Sequence, residues 1–333
     1  MDLRSYGINA TLVDERSLNL HKEQIQKGAY SGGVFYLPSG KYRVERKLGE
    51  GSYGKIYEAL SETGDLYAIK VQNYRSGEEF QDFLKEAIMN ILLENASHTQ
   101  PHGPYVQRFY EIAHNASNGM IFMRIEPLDG TLGDLIRSHT PEENDRWIPY
   151  ILEQIAAISE FFQTTLAMNH RDMKTDNIMY SMHGETPHLK LIDLGLSCMT
   201  YKGIHISGEG IFPITHTCNR KSRDVSFLLM ELLLDFRDTM SPALYTTLHK
   251  LLKFKTPRSE CQMNGFCPEE GFREWVNSYE FLNRKNIENP HTTPKEIKKQ
   301  MSAFTKKLKS TTSKKRRQTI RRKYNVFRGI LYS

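Results

Sequence analysis

With 39% apolar and 25% charged side chains, this 333-residue chain has the composition of a globular protein large enough to bury a substantial core. Its net charge of +6 is unevenly spread: residues 291–333 carry 14 Lys/Arg and one acid, whereas the 290 residues before them carry 31 basic and 38 acidic groups. That split argues for a basic tail with its own role and against a basic fold.

No apolar run reaches the ~18 residues that a spanning helix needs, so no membrane partner is expected. The opening "MDLRSYGINATLVDERS" lacks the apolar core of a signal peptide. Cys198, Cys218, Cys261 and Cys267 form no C-x-x-C pair, which indicates neither a zinc site nor a disulfide framework. The chain reads as intracellular and reduced, in cytoplasm or nucleus.

In chain order, residues 1–40 carry no motif and are set apart as an N-terminal extension. "SGGVFYLPSGKY" (Ser31–Tyr42), rich in Gly, Ser and Pro, marks the boundary. Beyond it, "YRVERKLGEGSYGKIYEAL" reads as a strand with Tyr42, Val44 and Arg46 on one face, a turn at "GEGSYG" and a second strand. "DLYAIKVQ" (Asp65–Gln72) supplies a third. Gly49, Gly51 and Gly54 satisfy G-x-G-x-x-G, but a dinucleotide-binding turn needs a helix after the glycines, and here a β-pattern follows. A glycine-rich hairpin tip can instead lay backbone N–H groups over a triphosphate. Sixteen residues on, Lys70 in "YAIKV" projects from an apolar strand to one face of the sheet.

Phe80, Phe83, Leu84, Ala87, Ile88, Ile91 and Leu92 recur at spacings of three and four, which predicts an amphipathic helix. Glu86 is its best candidate to pair with Lys70, with Glu78, Glu79 and Glu94 as alternatives. "MIFMRIEPLDGTLGDLI" (Met120–Ile136) gives an apolar strand, a connector with Pro127 and Gly130, and a helix start, and reads as a hinge between two lobes. A second apolar helix, "YILEQIAAISEFFQTT", leads into "NHRDMKTDNIMY" (Asn169–Tyr180), and "LKLIDLGLS" follows.

Glycine hairpin, strand lysine, helical glutamate, hinge, "HRDMKTDN" and "DLG" each occur once, in this order. The arrangement resembles the eukaryotic-type protein kinase family over roughly Tyr42 to Asp235. "HRDMKTDN" is the specific part, matching H-R-D-x-K-x-x-N at five fixed positions. The intervals also suit the family, with 46 residues from Glu126 to Asp172 and 21 from Asp172 to Asp193. Lys174 resembles the Ser/Thr-specific branch. The lower part looks trimmed, similar to kinases encoded by large DNA viruses, which would add the virion to the expected locations.

The resemblance implies an α+β, two-lobed protein-kinase-like fold. Its small β-rich N-lobe with one helix would span 41–126, its larger, mainly helical C-lobe 127–290, and the basic tail 291–333. It also implies ATP and Mg²⁺ as cofactors and a protein substrate. Gly49, Glu50, Gly51, Ser52, Tyr53, Gly54 and Ile56 would cover the nucleotide, with Lys70 holding its α/β-phosphates and Glu86 fixing Lys70. Backbone near Glu126 and Leu128 would pair with adenine, between Ala68 and Met179. Asp193 and Asn177 would be the metal ligands, Asp172 the base for the substrate hydroxyl, and Lys174 a stabiliser of the transferring charge.

The chain departs from the family where A-P-E is expected. "SGEGIFPI" offers Pro213 and, for the glutamate, Ile214, so an anchoring ion pair is lost. Ser207 would stand for the threonine that contacts the catalytic loop, and Asp224 for the aspartate that caps it. Arg171 implies a phosphate-responsive segment with Ser197, Thr200, Tyr201, Ser207, Thr215 and Thr217 as acceptors. The altered segment keeps an alternative open, a pseudokinase scaffold that binds nucleotide and a partner through its tail. For the 295–323 basic run, a nucleic acid or an import receptor is the expected partner, beside a plain solvated segment. "RRQT" makes Thr319 a candidate phosphorylation site, and "YNVFRGILY" is apolar enough to dock on the body.

Overall fold

The structure is a computed structural model that describes residues 2–10, 20–51, 54–201, 203–207, 223–251 and 295–310. The chain divides into two compact units, residues 1–134 with 161–220 and residues 135–160 with 221–333.

The first unit is built on a seven-stranded antiparallel sheet. Its strands are β1 (Ala29–Ser31), β2 (Val34–Leu37), β3 (Gly40–Gly51), β4 (Gly54–Ser61), β5 (Leu66–Asn73), β6 (Phe109–Asn115) and β7 (Met120–Ile125), ordered β1-β2-β3-β4-β5-β7-β6. Between β5 and β6 runs α1 (Gly77–Ser97), capped by Ser76, whose Oγ accepts the Glu79 N–H at 3.2 Å. Phe80, Leu84, Ala87, Ile88, Ile91 and Leu92 are buried on it, the face that the three–four spacing marked.

The β3–β4 hairpin forms where the glycine pattern placed it, but the face assignment holds only in part. A register shift between Val44 and Arg46 breaks the alternation, so Tyr42 is buried while Arg46 is turned outward to Glu58 at 2.9 Å.

The sheet also begins earlier than the Gly/Ser/Pro-rich boundary indicated. β1 and β2 lie within residues 1–40 and pair onto β3, and Phe35 and Leu37 enter a core with Tyr42, Ala59, Ile69, Ala113 and Phe122. Just before β1 the chain runs beside the opposite edge strand, where Lys27 bridges His114 and Gly28 N–H donates to the His114 carbonyl at 2.9 Å. Gly28 suits this close approach, since a Cβ there would meet the Ala113 Cβ at 2.9 Å and the Phe122 ring at 3.1 Å. Alternation in "VFYL" was the missed strand signal, masked by the flanking glycines and proline.

After β7 come β8 (Gly130–Thr131), α2 (Leu132–Arg137) and α3 (Pro141–Thr165), then β9 (Ile178–His183) and β10 (Thr186–Leu191). β8, β9 and β10 make a three-stranded sheet, and β11 (Cys198–Tyr201) pairs with β12 (Ile204–Ser207). The described residues of 161–207 group with the seven-stranded sheet. A bridge from Val106 to Leu191 joins the two segments.

The second unit is helical in its described part: residues 141–160 of α3, α4 (Arg223–Asp235), α5 (Pro242–Leu251) and α6 (295–310). A reciprocal cap opens α3, with Glu143 accepting from Thr140 N–H at 2.8 Å and Thr140 Oγ1 from Glu143 N–H at 3.3 Å. Buried Asn144 donates to the Ile136 and Thr239 carbonyls, both at 2.9 Å. On α6, Ile297 and Met301 are buried and Lys298 reaches Glu160 at 2.6 Å. Asp224 is buried in the first turn of α4. Among the described residues no helix is long and apolar enough to cross a membrane.

Removing the fully buried ring in Phe35→Ala should destabilise the first unit by about 3–5 kcal/mol, as for other core aromatic truncations. Urea titration of both proteins checks this; a loss under about 1 kcal/mol would place β2 outside the core.

Candidate active site

Strand registers bring the first group of residues together. β4 and β5 pair with Ile56 opposite Lys70, and β5 and β7 with Lys70 opposite Met123. From there Lys70 Nζ donates to Glu86 Oε1 of α1 at 2.7 Å, with the two side chains 15% and 13% exposed. The other acidic candidates are engaged elsewhere or are exposed. Glu79 accepts from Arg75 N–H, Glu94 from Phe109 N–H, and Glu78 lies on the solvent side.

At the hairpin tip Gly51 faces Gly54, and Ser52 and Tyr53 between them lie outside the described residues. Gly54 sits at φ +141°, and a Cβ there would run into the Val71 carbonyl oxygen at 2.2 Å, so no other residue fits without displacing β5. Glu50 is held by Lys47 at 2.8 Å, a hydrogen bond that pulls its carboxyl below the usual range.

The charged stretch after α3 folds around its own aspartate. Asp172 Oδ2 accepts from Lys174 Nζ at 2.9 Å and from Asn177 Nδ2 at 2.8 Å, and Asn177 Nδ2 also donates to the Asp172 carbonyl at 2.9 Å. Burial opposes the Lys174 charge. The Asp172 hydrogen bond and the charges of Asp172, Asp193 and Asp176 outweigh it and raise the amine above its ordinary 10.5. The imidazole of fully buried His170 shares a 2.9 Å hydrogen bond with the Ile192 carbonyl, and Ser197 Oγ donates to the His170 carbonyl at 3.1 Å. Asn169 and Cys198 exchange both backbone hydrogen bonds at 3.0 Å. Arg171 and Asp193 adopt φ of +71° and +57°, left-handed values that cost a non-glycine residue on the order of 1 kcal/mol or more.

A cavity of about 950 Å³ is lined by Glu50, Gly51, Gly54, Glu86, Asp172 and Asp193, among others. Gly49, Ile56, Ala68, Lys70, Glu126, Leu128, Lys174, Asn177 and Met179 lie outside its lining. Ala68 is buried opposite Ile125, and Met179 is half-buried opposite Lys190 and Thr131.

At the hinge, Glu126 N–H donates to the Arg108 carbonyl at 2.9 Å, and the Glu126 carbonyl accepts from Gln107 Nε2 at 2.6 Å. Buried Lys190 holds the Glu126 carboxylate at 2.5 Å. Gln107 and Lys190 were not singled out from the sequence, although a lysine inside the apolar run "LKLI" is a signal for a buried, paired cation.

The donor set fits a nucleotide with a magnesium ion. Positions above Gly49 and Gly51 have nothing within 4 Å of an added Cβ, so backbone is open to a phosphate. Both Asn177 Nδ2 bonds go to Asp172, which leaves the amide oxygen as its acceptor, and the Asn177 carbonyl takes the Ile192 N–H at 3.0 Å, one residue before Asp193. Among the described residues no group of three or more His, Cys, Asp or Glu could hold a metal alone. One carboxylate and one amide, completed by phosphates and water, is the sparse set that Mg²⁺ takes.

One expectation from the cysteines is corrected. Cys198 is disulfide-bonded, and the other three cysteines lie outside the described residues. Pro213, Ile214, Thr215, Thr217 and Thr319 also lie outside the described residues, as do the side chain of Ser207 and the tail beyond Ser310.

The model of the protein kinase domain matches residues 42–217, and the chain belongs to that family, with its two-lobed α+β fold. It is 29% identical over 170 residues to the serine/threonine-protein kinase SSN3 of Chaetomium globosum, covering 50% of this chain and 32% of the relative. It is 29% identical over 169 residues to calcium/calmodulin-dependent protein kinase type I of Schizosaccharomyces pombe, covering 47% and 45%. A third relative, NUAK family SNF1-like kinase 2 of Rattus norvegicus, is 29% identical over 163 residues, covering 49% and 24%. The matches thus span a quarter to under half the length of these curated relatives.

The raised Lys174 amine has a consequence for stability. Its contribution is fully present below the unfolded value near 10.5 and is lost as pH rises through the higher folded value. The stability difference between wild type and Lys174→Met should therefore be constant from pH 7 to 10 and shrink above that. Denaturant titrations across the range test this, and a difference that shrinks below pH 9 would contradict the pairing.

Proposed function

We propose that this chain is an ATP- and Mg-dependent kinase that phosphorylates serine and threonine hydroxyls of proteins. The reading is carried by one observation: Asp172, hydrogen-bonded to Lys174 and Asn177, lines the same cavity as Asp193 and the Lys70-paired Glu86. The relative from Chaetomium globosum is a serine/threonine-protein kinase by name, which supports the substrate class.

Bound Mg-ATP supplies the phosphoryl group to be moved and the metal charge that offsets the triphosphate. Lys70 holds phosphate oxygens, and Glu86 keeps its ammonium in place. Gly49, Gly51 and Gly54 let the hairpin backbone approach them. Asp193 and the Asn177 amide oxygen are the protein's metal donors. Asp172, its Oδ2 fixed by two donors, orients the acceptor hydroxyl and takes its proton. Lys174 places a positive charge where negative charge develops. At the hinge Pro127 has no N–H and that of Glu126 is spent on Arg108, which leaves the Leu128 N–H as the adenine donor. The Glu126 carbonyl, with one lone pair on Gln107, has a second for the adenine amine. Ile56, Ala68 and Met179 supply the apolar walls.

The second reading, a nucleotide-binding scaffold, is favoured only by the missing A-P-E glutamate at Ile214. The basic 295–323 run extends the proposal to a nucleic acid or import-receptor contact, and so to a nuclear or cytoplasmic location. The trimmed lower part keeps the comparison with kinases of large DNA viruses inside this proposal.

Transfer of radiolabelled γ-phosphate to a generic basic protein tests the reading. Asp172→Asn and Asp193→Asn should each lower it at least about a hundredfold. A folded wild type that binds ATP and transfers nothing would move the assignment to the scaffold, and one that binds no ATP would contradict both.

A further inference from the structure

The N-terminal segment, which carries no motif, touches the helix that bears Glu86 near both ends. Its two described pieces form one body: Ile8 bridges Ile25, Asn9 N–H donates to the Gln24 carbonyl at 2.7 Å, and Gln26 N–H to the Gly7 carbonyl at 2.9 Å. Leu3, Ile8, Leu20 and Ile25 are buried, and His114 N–H of β6 donates to the Gln26 carbonyl at 2.9 Å. The segment is therefore fixed to the sheet edge and is not loosely laid over it.

From that anchorage it reaches α1. Toward the helix's N-terminal end, Gln81 Nε2 donates to the Leu20 carbonyl at 2.6 Å. Beside it the Lys22 ammonium stands 4.4 Å from the Tyr74 ring centroid and 5.5 Å from that of Phe80, and the two rings meet edge-on at 5.2 Å. Tyr74 directly follows the strand of Lys70, and Phe80 is in the first turn of the helix of Glu86. Lys22 thus clips the junction between the two elements whose side chains form the ion pair. Near the far end Asn95 Nδ2 donates to the Tyr6 hydroxyl at 3.3 Å.

The ion pair lies five residues past Gln81, about 7.5 Å along the helix axis. A hydrogen bond of 2.7 Å does not survive a displacement of one ångström. Whatever holds α1 along its length therefore decides whether Lys70 has its partner.

We propose that the N-terminal segment is a built-in brace that sets α1 with Glu86 against Lys70, and that Lys22 and Gln81 are positioning residues. Its effect on phosphoryl transfer rests on the kinase reading; its effect on the ion pair does not.

The test is the rate at which Lys70 is acylated by acetic anhydride in the nucleotide-free full chain, read by peptide mass. Glu86→Gln gives the rate of Lys70 without the Glu86 carboxylate. Lys22→Ala with Gln81→Ala should raise the Lys70 rate at least about threefold toward that value, and should add nothing in the Glu86→Gln background. Lys22→Arg, which keeps a cation over the rings, should restore the wild-type rate. Lys22→Ala alone changes only one half-buried side chain and serves if the double variant does not fold; it should move the rate in the same direction. An unchanged Lys70 rate, or an equal rise in the Glu86→Gln background, overturns the brace. If wild type transfers no phosphate, the kinase reading falls while the acylation result still decides the brace. Where transfer is present, kcat/KM for ATP should fall in the double variant with KM for the protein substrate unchanged; a change confined to the substrate KM counts against it.

Discussion

The ion pair between Lys70 and Glu86 is the constraint that the first unit is arranged to meet. A pair this shielded from water adds little net stability, because desolvation cancels most of the attraction. Removing one partner, in contrast, leaves the other charge shielded from water without the group that offset its desolvation. The pair therefore acts as a positional device. It requires the β4–β5–β7 registers that aim Lys70 below the sheet, the buried face that seats α1, and, by our inference, the N-terminal brace that sets the helix along its axis.

A second tight cluster performs the complementary task. Asp172 is held by two side-chain donors, and its own carbonyl takes a further bond from Asn177. His170 ties the loop to the Ile192 carbonyl through its ring and to the Ser197 hydroxyl through its own carbonyl. Left-handed backbone at Arg171 and Asp193 is affordable only inside such a network, and it is what turns Asp193 into the cavity. In the proposed reading one carboxylate serves a proton and the other a metal, two roles set by different surroundings.

Much of this was legible because chemistry demanded particular residues at fixed spacing. "HRDMKTDN" and "DLG" locate the carboxylates, and the three–four spacing of Phe80 to Leu92 locates the helix and makes Glu86 the leading partner. The strand of Lys70 was legible from its apolar neighbours. The β1–β2 hairpin was not, because four residues of alternation between glycines and a proline look like a linker until Phe35 and Leu37 find a core. Bulges are equally silent, which is why Arg46 was assigned to the wrong face. The cap at Thr140 is an ordinary T-x-x-E signal that the apolar run after Pro149 overshadowed. Lys190 and Gln107 depend on contacts between distant residues, which spacing does not encode.

Calorimetric titration of ATP into the full chain, with and without Mg²⁺, tests the central claim most directly. The account predicts that Mg²⁺ tightens binding in the wild type, that Asp193→Asn abolishes this metal dependence, and that Lys70→Met weakens binding with or without metal. ATP affinity indifferent to Mg²⁺ and to both substitutions would contradict it.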